Sequence, residues 1–219
     1  MARALLDENL IVGLVKRKVA SDTFRRLPPE KKALIYETAI KLFGRYGYDG
    51  LPVDRLCREA GISKGSFFQY FPSKSHLLEF AILVFDDYFA RWIEDVHRQD
   101  TGGLARDRLR QLYHAVVLNA KLYPAEKKFY LFVTGALAHS GVVIEGIDME
   151  RHVHRLVREI IERGETTGEI RGDINVEQTG HLLAVLFGAL VGREFGNKGR
   201  VPRPSGEYLI SLLFDGIKA

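Results

Sequence analysis

The stretch LPVDRLCREAGISKGSFFQYFPSK, residues 51–74, decides the fold of the first part of the chain. Its apolar residues recur at three- and four-residue spacing and predict a helix over about 52–60. Gly61 suits the left-handed backbone that ends a helix, and the hydroxyl of Ser63 can accept from the free N–H groups of a following helix. A second helix is therefore predicted to begin at Lys64, one tight turn after the first.

The second helix has an apolar side and an outward side. Phe67 and Phe71 lie four residues apart and can pack with the first helix in a small core. In a helix-turn-helix, the start of the second helix lies in the DNA major groove. There lysine can donate to guanine, glutamine can pair with adenine or guanine, and phenylalanine can contact a thymine methyl group. The predicted base contacts are Lys64, Gly65, Phe68 and Gln69.

Hydrogen-bond donors beside this face suit phosphate groups. Ser66, Tyr70 and Lys74 are the predicted phosphate contacts. The helix–glycine–helix pattern also fits an ordinary helical hairpin with a solvated face, so the pattern alone leaves both interpretations open. The charge favours DNA. Residues 1–74 contain 14 Lys and Arg against 8 Asp and Glu, a net charge of +6, whereas residues 75–219 carry −2.

Two runs in this region resemble a known family. They are SKGSFFQYFPSK at 63–74 and FGRYGYDG at 43–50. Both closely resemble the DNA-binding domain of the TetR/AcrR family of transcriptional regulators, and the resemblance covers about residues 31–80. Beyond residue 80 it rests on the order and length of the helices.

The resemblance implies an all-α fold with a particular domain organisation. A three-helix DNA-binding domain is expected at 29–74, with its helix-turn-helix at 51–70, followed by a helical effector-binding and dimerisation domain at 75–219. Two positions depart from the family pattern. The family more often has a tyrosine at Phe68, whose hydroxyl meets the DNA backbone, so Phe68 is expected to make apolar contact only. The family also tends to place a capping Thr or Ser at Pro52.

Residues 1–28 form an N-terminal extension that is longer than the usual lead into such a domain. Leu6, Leu10 and Leu14 follow the spacing of an amphipathic helix, and basic residues come after them. Two interpretations are open. The extension is either an extra helix packed on the domain, with a solvated basic end, or an arm that adds phosphate or minor-groove contacts.

The other patterns in the chain are helical, without strand alternation or internal repeats. A helix that braces the motif is predicted at 30–46, with Leu34 among its inward residues. Ser73 can cap a long fourth helix that reaches about residue 98 and is expected to join the DNA-binding domain to the body. Body helices are predicted near 104–122, 125–139, 148–166, 176–195 and 206–218.

No motif for catalysis or metal binding is evident. The sequence has no Gly-rich phosphate loop, no cysteine pair and no nucleophile-elbow serine, so neither an enzyme nor a cofactor is predicted. His152 and His154 fit a solvated helix face better than a metal site. Cys57, the single cysteine, is expected to be a small core residue, with redox sensing as the lesser alternative. Without a targeting or membrane segment, a cytoplasmic location is expected.

Two further sites are predicted in the C-terminal part. A pocket for an apolar or aromatic effector is expected to be lined by Trp92, Tyr113, Asn119, Phe129, Phe132 and Thr134. A core Asn119 bonded to a backbone carbonyl is the alternative for its polar member. Small residues at every fourth position suit close helix contact, and the resemblance implies a dimer at Gly180, Ala184, Gly188 and Gly192. Close packing inside one subunit is the alternative.

The resemblance implies a homodimeric regulator that binds a palindromic double-stranded operator and responds to a small effector; a repressor is expected, although the sequence does not give the sign of regulation. The alternative is a DNA-binding regulator of the same fold without an effector, constitutive or switched by a protein partner. A helical scaffold without DNA binding would leave the basic N-terminal part and the run at 63–74 unexplained.

Overall fold

Two compact units make up the computed structural model. It describes residues 6–98, 103–137, 149–196 and 206–217. The first unit comprises Met1–Tyr88 and Tyr123–Ile147, and the second comprises Phe89–Leu122 and Asp148–Ala219. Within the described ranges every regular element is a helix, which confirms the predicted all-α fold.

The N-terminal extension forms two helices, α1 (Glu8–Lys16) and α2 (Asp22–Arg25). Both begin at a side-chain cap. The Leu10 N–H donates to Asp7 Oδ1 at 2.8 Å, and Ser21 caps α2. Three apolar side chains of the extension are fully or almost fully buried, namely Ile11, Leu14 and Phe24. The structure therefore favours the extra packed helix over a free arm.

Three helices form the helix-turn-helix domain: α3 (Pro29–Tyr46), α4 (Val53–Glu59) and α5 (Lys64–Tyr70). Their bounds agree with the predicted helices to within one residue. Leu34 corrects the prediction for α3, because 45% of it is exposed. It lies on the same side of the helix as exposed Glu37 and Lys41, at three- and seven-residue spacing, away from the buried face.

A continuous helix, α6 (Lys74–Arg98), has the predicted bounds and contributes residues to both units. It is followed by α7 (Ala105–Leu122) and α8 (Pro124–Leu131), and α8 continues into a π-helical segment, Phe132–Leu137. The sequence pattern predicts an uninterrupted helix there and gives no sign of the wider π turn.

In the first unit, α8 packs on α3 at very short range. A Cβ atom added at Gly44 would lie 2.8 Å from the backbone nitrogen of Phe129, closer than two such atoms can approach. Phe129 is fully buried, with its ring centroid 5.5 Å from that of Phe85, and Phe132 stacks with Phe43 at 6.3 Å. The unit that contains the helix-turn-helix thus also contains α8, which the sequence does not indicate.

The second unit consists of the end of α6 with α7, α9 (Met149–Thr166), α10 (Val176–Gly196) and α11 (Gly206–Ile217). Its core combines aliphatic side chains of α7, α9, α10 and α11 with Ile93 of α6. The Glu169 carboxylate accepts from the N–H groups of Ala105 and Arg106 at 2.5 and 3.3 Å and so caps the N-terminus of α7.

Candidate nucleic-acid interface

The turn between α4 and α5 has the predicted geometry. Gly61 lies in the left-handed region at φ +63°, and the Ile62 N–H donates to the Cys57 carbonyl at 3.0 Å. Ser63 then caps α5, since its Oγ accepts from the Ser66 N–H at 3.0 Å. These bonds fix the point at which the outward face of α5 begins.

The inner face of α5 is anchored in an aromatic core. Phe67 and Phe71 are fully buried, and their ring centroids lie 6.0 Å apart. Phe80 of α6 and Phe24 of α2 lie 5.3 and 5.0 Å from the Phe71 ring. The packing leaves α5 little freedom to rotate about its own axis, so the direction of its other face is set.

The outer face of α5 carries the four predicted base contacts, all of them exposed. Phe68 is 51% exposed, although large aromatic side chains are usually covered in a folded domain. The Lys64 ammonium lies 2.9 Å from the Asp54 carboxylate, and both side chains are more than half exposed. The surface thus offers cationic, amide and aromatic groups side by side, which are the groups that contact base edges.

The packing within the domain does not require glycine at position 65. A Cβ atom placed there would have Ser63 Oγ at 3.8 Å as its nearest neighbour, an ordinary contact distance. Glycine is a poor residue for a helix, so its presence on an open face fits a surface that a ligand approaches closely.

The three predicted phosphate contacts differ in their surroundings. Ser66 is partly buried, and its Oγ lies 2.9 Å from that of Ser63. Tyr70 is only 5% exposed, with its ring edge against Phe24. These roles stay predictions, and Tyr70 can serve only through the small part of its side chain that reaches the surface.

Lys74 is engaged inside the domain. Its ammonium donates to the carbonyl of Tyr48 at 2.7 Å and to that of Leu51 at 3.2 Å, and it lies 4.1 Å from the centre of the Tyr48 ring. An ammonium group has three donors, so one remains for a phosphate. The sequence indicates the charge at this position but not its bonds to the loop before α4.

One contact with α5 was not predicted at all. The hydroxyl of Ser21 donates to the Gln69 carbonyl at 2.6 Å, and the Ser21 N–H donates to the Tyr70 carbonyl at 3.0 Å. The pair Ser21-Asp22 signals a helix start. No local pattern reveals that the same serine reaches a helix 48 residues later.

The six predicted pocket residues are divided between the two units. In the second unit, Tyr113 is buried and Trp92 packs against the core, while Asn119 is half-buried. In the first unit, Phe129 and Phe132 are buried and Thr134 Oγ1 donates to the Tyr130 carbonyl. Two pockets described in the second unit border buried Arg108, with cavity volumes of about 20 and 120 Å³, and have other linings. The effector pocket stays a prediction.

Of the four predicted dimer residues on α10, the structure describes the surroundings of Gly180 and Ala184. Gly180 packs on α9 of the same unit, where an added Cβ would lie 3.4 Å from Arg158 Cβ, and Ala184 is buried. Gly180 and Ala184 are therefore packed inside one subunit. The side chains around Gly188 and Gly192 lie outside the described residues.

Metal binding, thiol redox chemistry and membrane insertion each set requirements that can be compared with the described residues. Among the side chains that the structure describes, no group of three His, Cys, Asp or Glu is placed to hold a metal ion. Burial, and secondarily the charge of Asp54, raises the pKa of the Cys57 thiol, which is the opposite of what a redox-sensing thiolate requires. Within the described ranges, no helix is both long and apolar enough to cross a membrane.

Residues 35–81 match the family model described as "Bacterial regulatory proteins, tetR family". Over 90 residues the chain is 39% identical to the uncharacterised HTH-type transcriptional regulator YuxN of Bacillus subtilis (strain 168), covering 40% of this chain and 31% of YuxN. It is 24% identical over 168 residues to YhgD, another uncharacterised HTH-type regulator of that strain, covering 74% of this chain and 83% of YhgD.

Solved structures share the fold over most of the chain. A TetR family transcriptional regulator from Chloroflexus aurantiacus J-10-FL is 20% identical with a TM-score of 0.67, covering 91% of this chain and 99% of that one. The ketosteroid transcriptional regulator KstR2 of Mycobacterium tuberculosis is 19% identical with a TM-score of 0.60, covering 89% of this chain and 97% of that one.

The exposed face of α5 and the turn before it have the form of a helix-turn-helix DNA-binding domain, and the curated proteins that match this region are HTH-type transcriptional regulators. The match to the tetR family of bacterial regulatory proteins is confined to residues 35–81, which contain the helix-turn-helix.

Proposed function

We propose that this regulator is a dimeric repressor that contacts base edges of a palindromic operator through the outer face of α5 and releases DNA when a small apolar or aromatic molecule binds. The observation that carries the proposal is the division of α5 into two faces. Phe67 is fully buried, while its neighbour Phe68 is 51% exposed beside Lys64 and Gln69. A folded domain gains nothing from exposing this aromatic ring, whereas a major-groove contact uses it.

Dimer formation is supported by uncovered apolar side chains on the last two helices. Leu182, Val185 and Leu186 of α10 are 62, 43 and 39% exposed, and Tyr208 and Leu212 of α11 are 60 and 56% exposed. Leu182 lies on the opposite side of α10 from Gly180, because two residues correspond to about 200° around a helix. We therefore place the dimer contact on these apolar side chains rather than on Gly180 and Ala184.

Response to an effector is supported by the name of one similar structure. KstR2 is called a ketosteroid transcriptional regulator, and ketosteroids are small, largely apolar molecules. The second unit of this chain has an aromatic and aliphatic interior in which Trp92 and Phe89 lie 5.7 Å apart. An effector can release DNA only to the extent that it binds the DNA-incompetent conformation more tightly.

The alternative is a regulator without an effector. It is distinguished by measuring DNA affinity with and without a panel of sterols, lactones and aromatic acids. If no compound in the panel changes the affinity, a partner protein or constitutive binding becomes the better account.

The test of DNA recognition begins with a random pool of duplexes from which the wild-type chain enriches an operator. Lys64→Ala and Gln69→Ala are then measured against every single-base variant of that operator. Each substitution should weaken discrimination at particular positions by about 1–3 kcal/mol. Equal weakening at all positions would show that these two side chains do not read bases. Failure to enrich any sequence would overturn the proposed function itself.

A further inference from the structure

We propose that Ser21, in the N-terminal extension, is a positioning residue for operator recognition: it holds the C-terminal end of α5 so that Gln69 is presented at a fixed orientation. The inference rests on the proposed function, since it assigns a specificity role within the DNA-binding surface. Ser21 lies outside the helix-turn-helix, and it bonds to the backbone of Gln69 and not to the Gln69 side chain.

The backbone of Ser21 and its side chain serve two helices at once. Ser21 Oγ accepts from the Phe24 N–H at 3.2 Å and thereby caps α2. The same hydroxyl donates its proton to the Gln69 carbonyl at 2.6 Å, and the Ser21 N–H donates to the Tyr70 carbonyl at 3.0 Å. The start of α2 is thus bonded directly to the end of α5.

These bonds matter because α5 is short. It has seven residues, and the last four carbonyl groups of any α-helix have no partner within the helix. A helix of this length has little intrinsic stability and depends on contacts with its surroundings. Ser21 supplies partners for two of its terminal carbonyls, including that of the residue whose side chain is predicted to read a base.

Phe24 places Ser21 where it can act. Its side chain is fully buried, with ring centroids 6.2 Å from Tyr70 and 5.0 Å from both Phe71 and Phe80. The Lys32 ammonium donates to the Arg25 carbonyl at 2.9 Å and fixes the end of α2 to α3. The extension is therefore held on both sides, and Ser21 can act as a fixed support instead of following the movements of α5.

The extension also offers a matched control. Asp7 caps α1 through the Leu10 N–H, as Ser21 caps α2. Asp7→Ala therefore removes a helix cap whose bond is made within α1 itself. Ser21→Thr is the conservative variant, because threonine keeps the hydroxyl.

The experiment compares full-length wild type, Ser21→Ala, Ser21→Thr and Asp7→Ala. Affinity is measured for the operator that the wild type enriches from a random pool and for an unrelated duplex of equal length. Hydrogen exchange of the amides from 67 to 71 is followed in parallel. Ser21→Ala should lower operator affinity about tenfold with little change for the unrelated duplex, and amide exchange should accelerate in α5. Ser21→Thr should restore both, and Asp7→Ala should change neither.

Two outcomes separate this inference from the proposed function. If the wild type prefers the enriched operator and Ser21→Ala has the same operator affinity and α5 exchange as Asp7→Ala, the positioning role is wrong and the function stands. If the wild type enriches no operator, the proposed function fails, while the exchange measurement still decides whether Ser21 holds α5. A loss that is equal for both duplexes would also overturn the inference, since it would reflect loss of folded protein.

Discussion

Lys64 Nζ of α5 lies 2.9 Å from Asp54 Oδ1 of α4, so the side chain predicted to contact guanine forms an ion pair with the preceding helix. Both groups are exposed, at 61 and 71% of their side-chain surfaces, so the pair contributes little to folding, typically under about 1 kcal/mol. If Lys64 contacts a base as predicted, the effect of the pair should fall on DNA binding, because the Asp54 carboxylate would compete with the base edge for Lys64 and repel nearby phosphates.

Asp54→Asn is accordingly expected to bind DNA more tightly by a few-fold, corresponding to about 1 kcal/mol at low salt, with the gain shrinking as salt rises. Thermal stability should hardly change. Asp95→Asn is the matched control, because Asp95 forms an equally short ion pair with Arg98 in the second unit. Affinity titrations at three salt concentrations measure the effect. Weaker binding by Asp54→Asn would show that the carboxylate positions Lys64 usefully instead of restraining it.

Gly65→Ala should change stability and DNA affinity in opposite directions. The added methyl group meets no close neighbour, and alanine is the better helix former, so the free energy of unfolding should rise by about 0.5–1 kcal/mol. The same methyl group would separate α5 from the groove and weaken operator binding. Gly13→Ala in α1 adds a methyl group in equally open space and should stabilise without affecting DNA. Unchanged operator affinity in Gly65→Ala would remove Gly65 from the DNA contacts.

Lys74→Ala should have two separable effects. Losing the charged bonds to the Tyr48 and Leu51 carbonyls should lower stability by about 1–3 kcal/mol. If the third donor contacts a phosphate, the slope of log affinity against log salt should also fall by about one unit. Lys121→Ala, which removes an exposed lysine of α7, serves as the charge control. An unaltered slope in Lys74→Ala would mean that Lys74 only braces the loop.

The exposed apolar side chains of α10 and α11 should control the oligomeric state. Leu182→Glu combined with Leu212→Glu places two charges on side chains that are 62 and 56% exposed, so the fold should tolerate them while a dimer contact should not. Sedimentation velocity at micromolar concentration is expected to show a monomer with unchanged helix content. Leu118→Glu, a 56% exposed leucine of α7, should leave the dimer intact. A dimer that survives the double substitution would place the interface elsewhere.

Tyr36 should make the protein sensitive to alkali. It is 2% exposed, and its hydroxyl has no hydrogen-bond partner among the described residues. Burial, with smaller contributions from Glu126, Tyr88 and Glu37, raises its pKa above the ordinary value of 10.0. The folded state therefore holds this proton more tightly than the unfolded state, so the contribution to stability is complete below pH about 10 and is lost as the pH rises further.

Tyr36→Phe should therefore flatten the fall of the melting temperature over about pH 9 to 11.5, the range around the ordinary tyrosine pKa of about 10. At neutral pH it should be neutral or stabilising by up to about 1 kcal/mol, because it removes an unpartnered buried hydroxyl. Tyr123→Phe in the same unit is the control. A wild type and a Tyr36→Phe variant with the same alkaline profile would contradict the assignment.

Local sequence signals account for much of the fold. Gly61 and Ser63 predict the turn because a left-handed residue that ends a helix and a side chain that caps the next one depend only on the local backbone. The structure has both features. The two faces of α5 follow from helical periodicity alone. The same periodicity misplaces Leu34, since a stripe of apolar residues does not say how far round the helix its partner extends.

The bonds that complete the candidate interface are non-local and could not be predicted in this way. Ser21 and Gln69 are 48 residues apart, and Lys74 reaches carbonyls 23 and 26 residues before it. Every residue has a backbone carbonyl, so a sequence pattern cannot show which carbonyl a distant side chain will bond. For Gly180, four-residue spacing indicates that another helix comes close, and only the structure shows that this helix is α9 of the same chain.

Gly44 shows how packing constrains the sequences that can adopt this fold. A glycine inside a helix destabilises the helix by about 1 kcal/mol relative to alanine, so helix stability alone would favour alanine at this position. Any side chain at position 44 would meet the Phe129 nitrogen at 2.8 Å and push α8 away from α3. Descendants that keep this crossing are expected to keep glycine, and an alignment would then show an invariant column beside the DNA-binding motif. That invariance would record the distance between two helices and would not mark a contact with DNA.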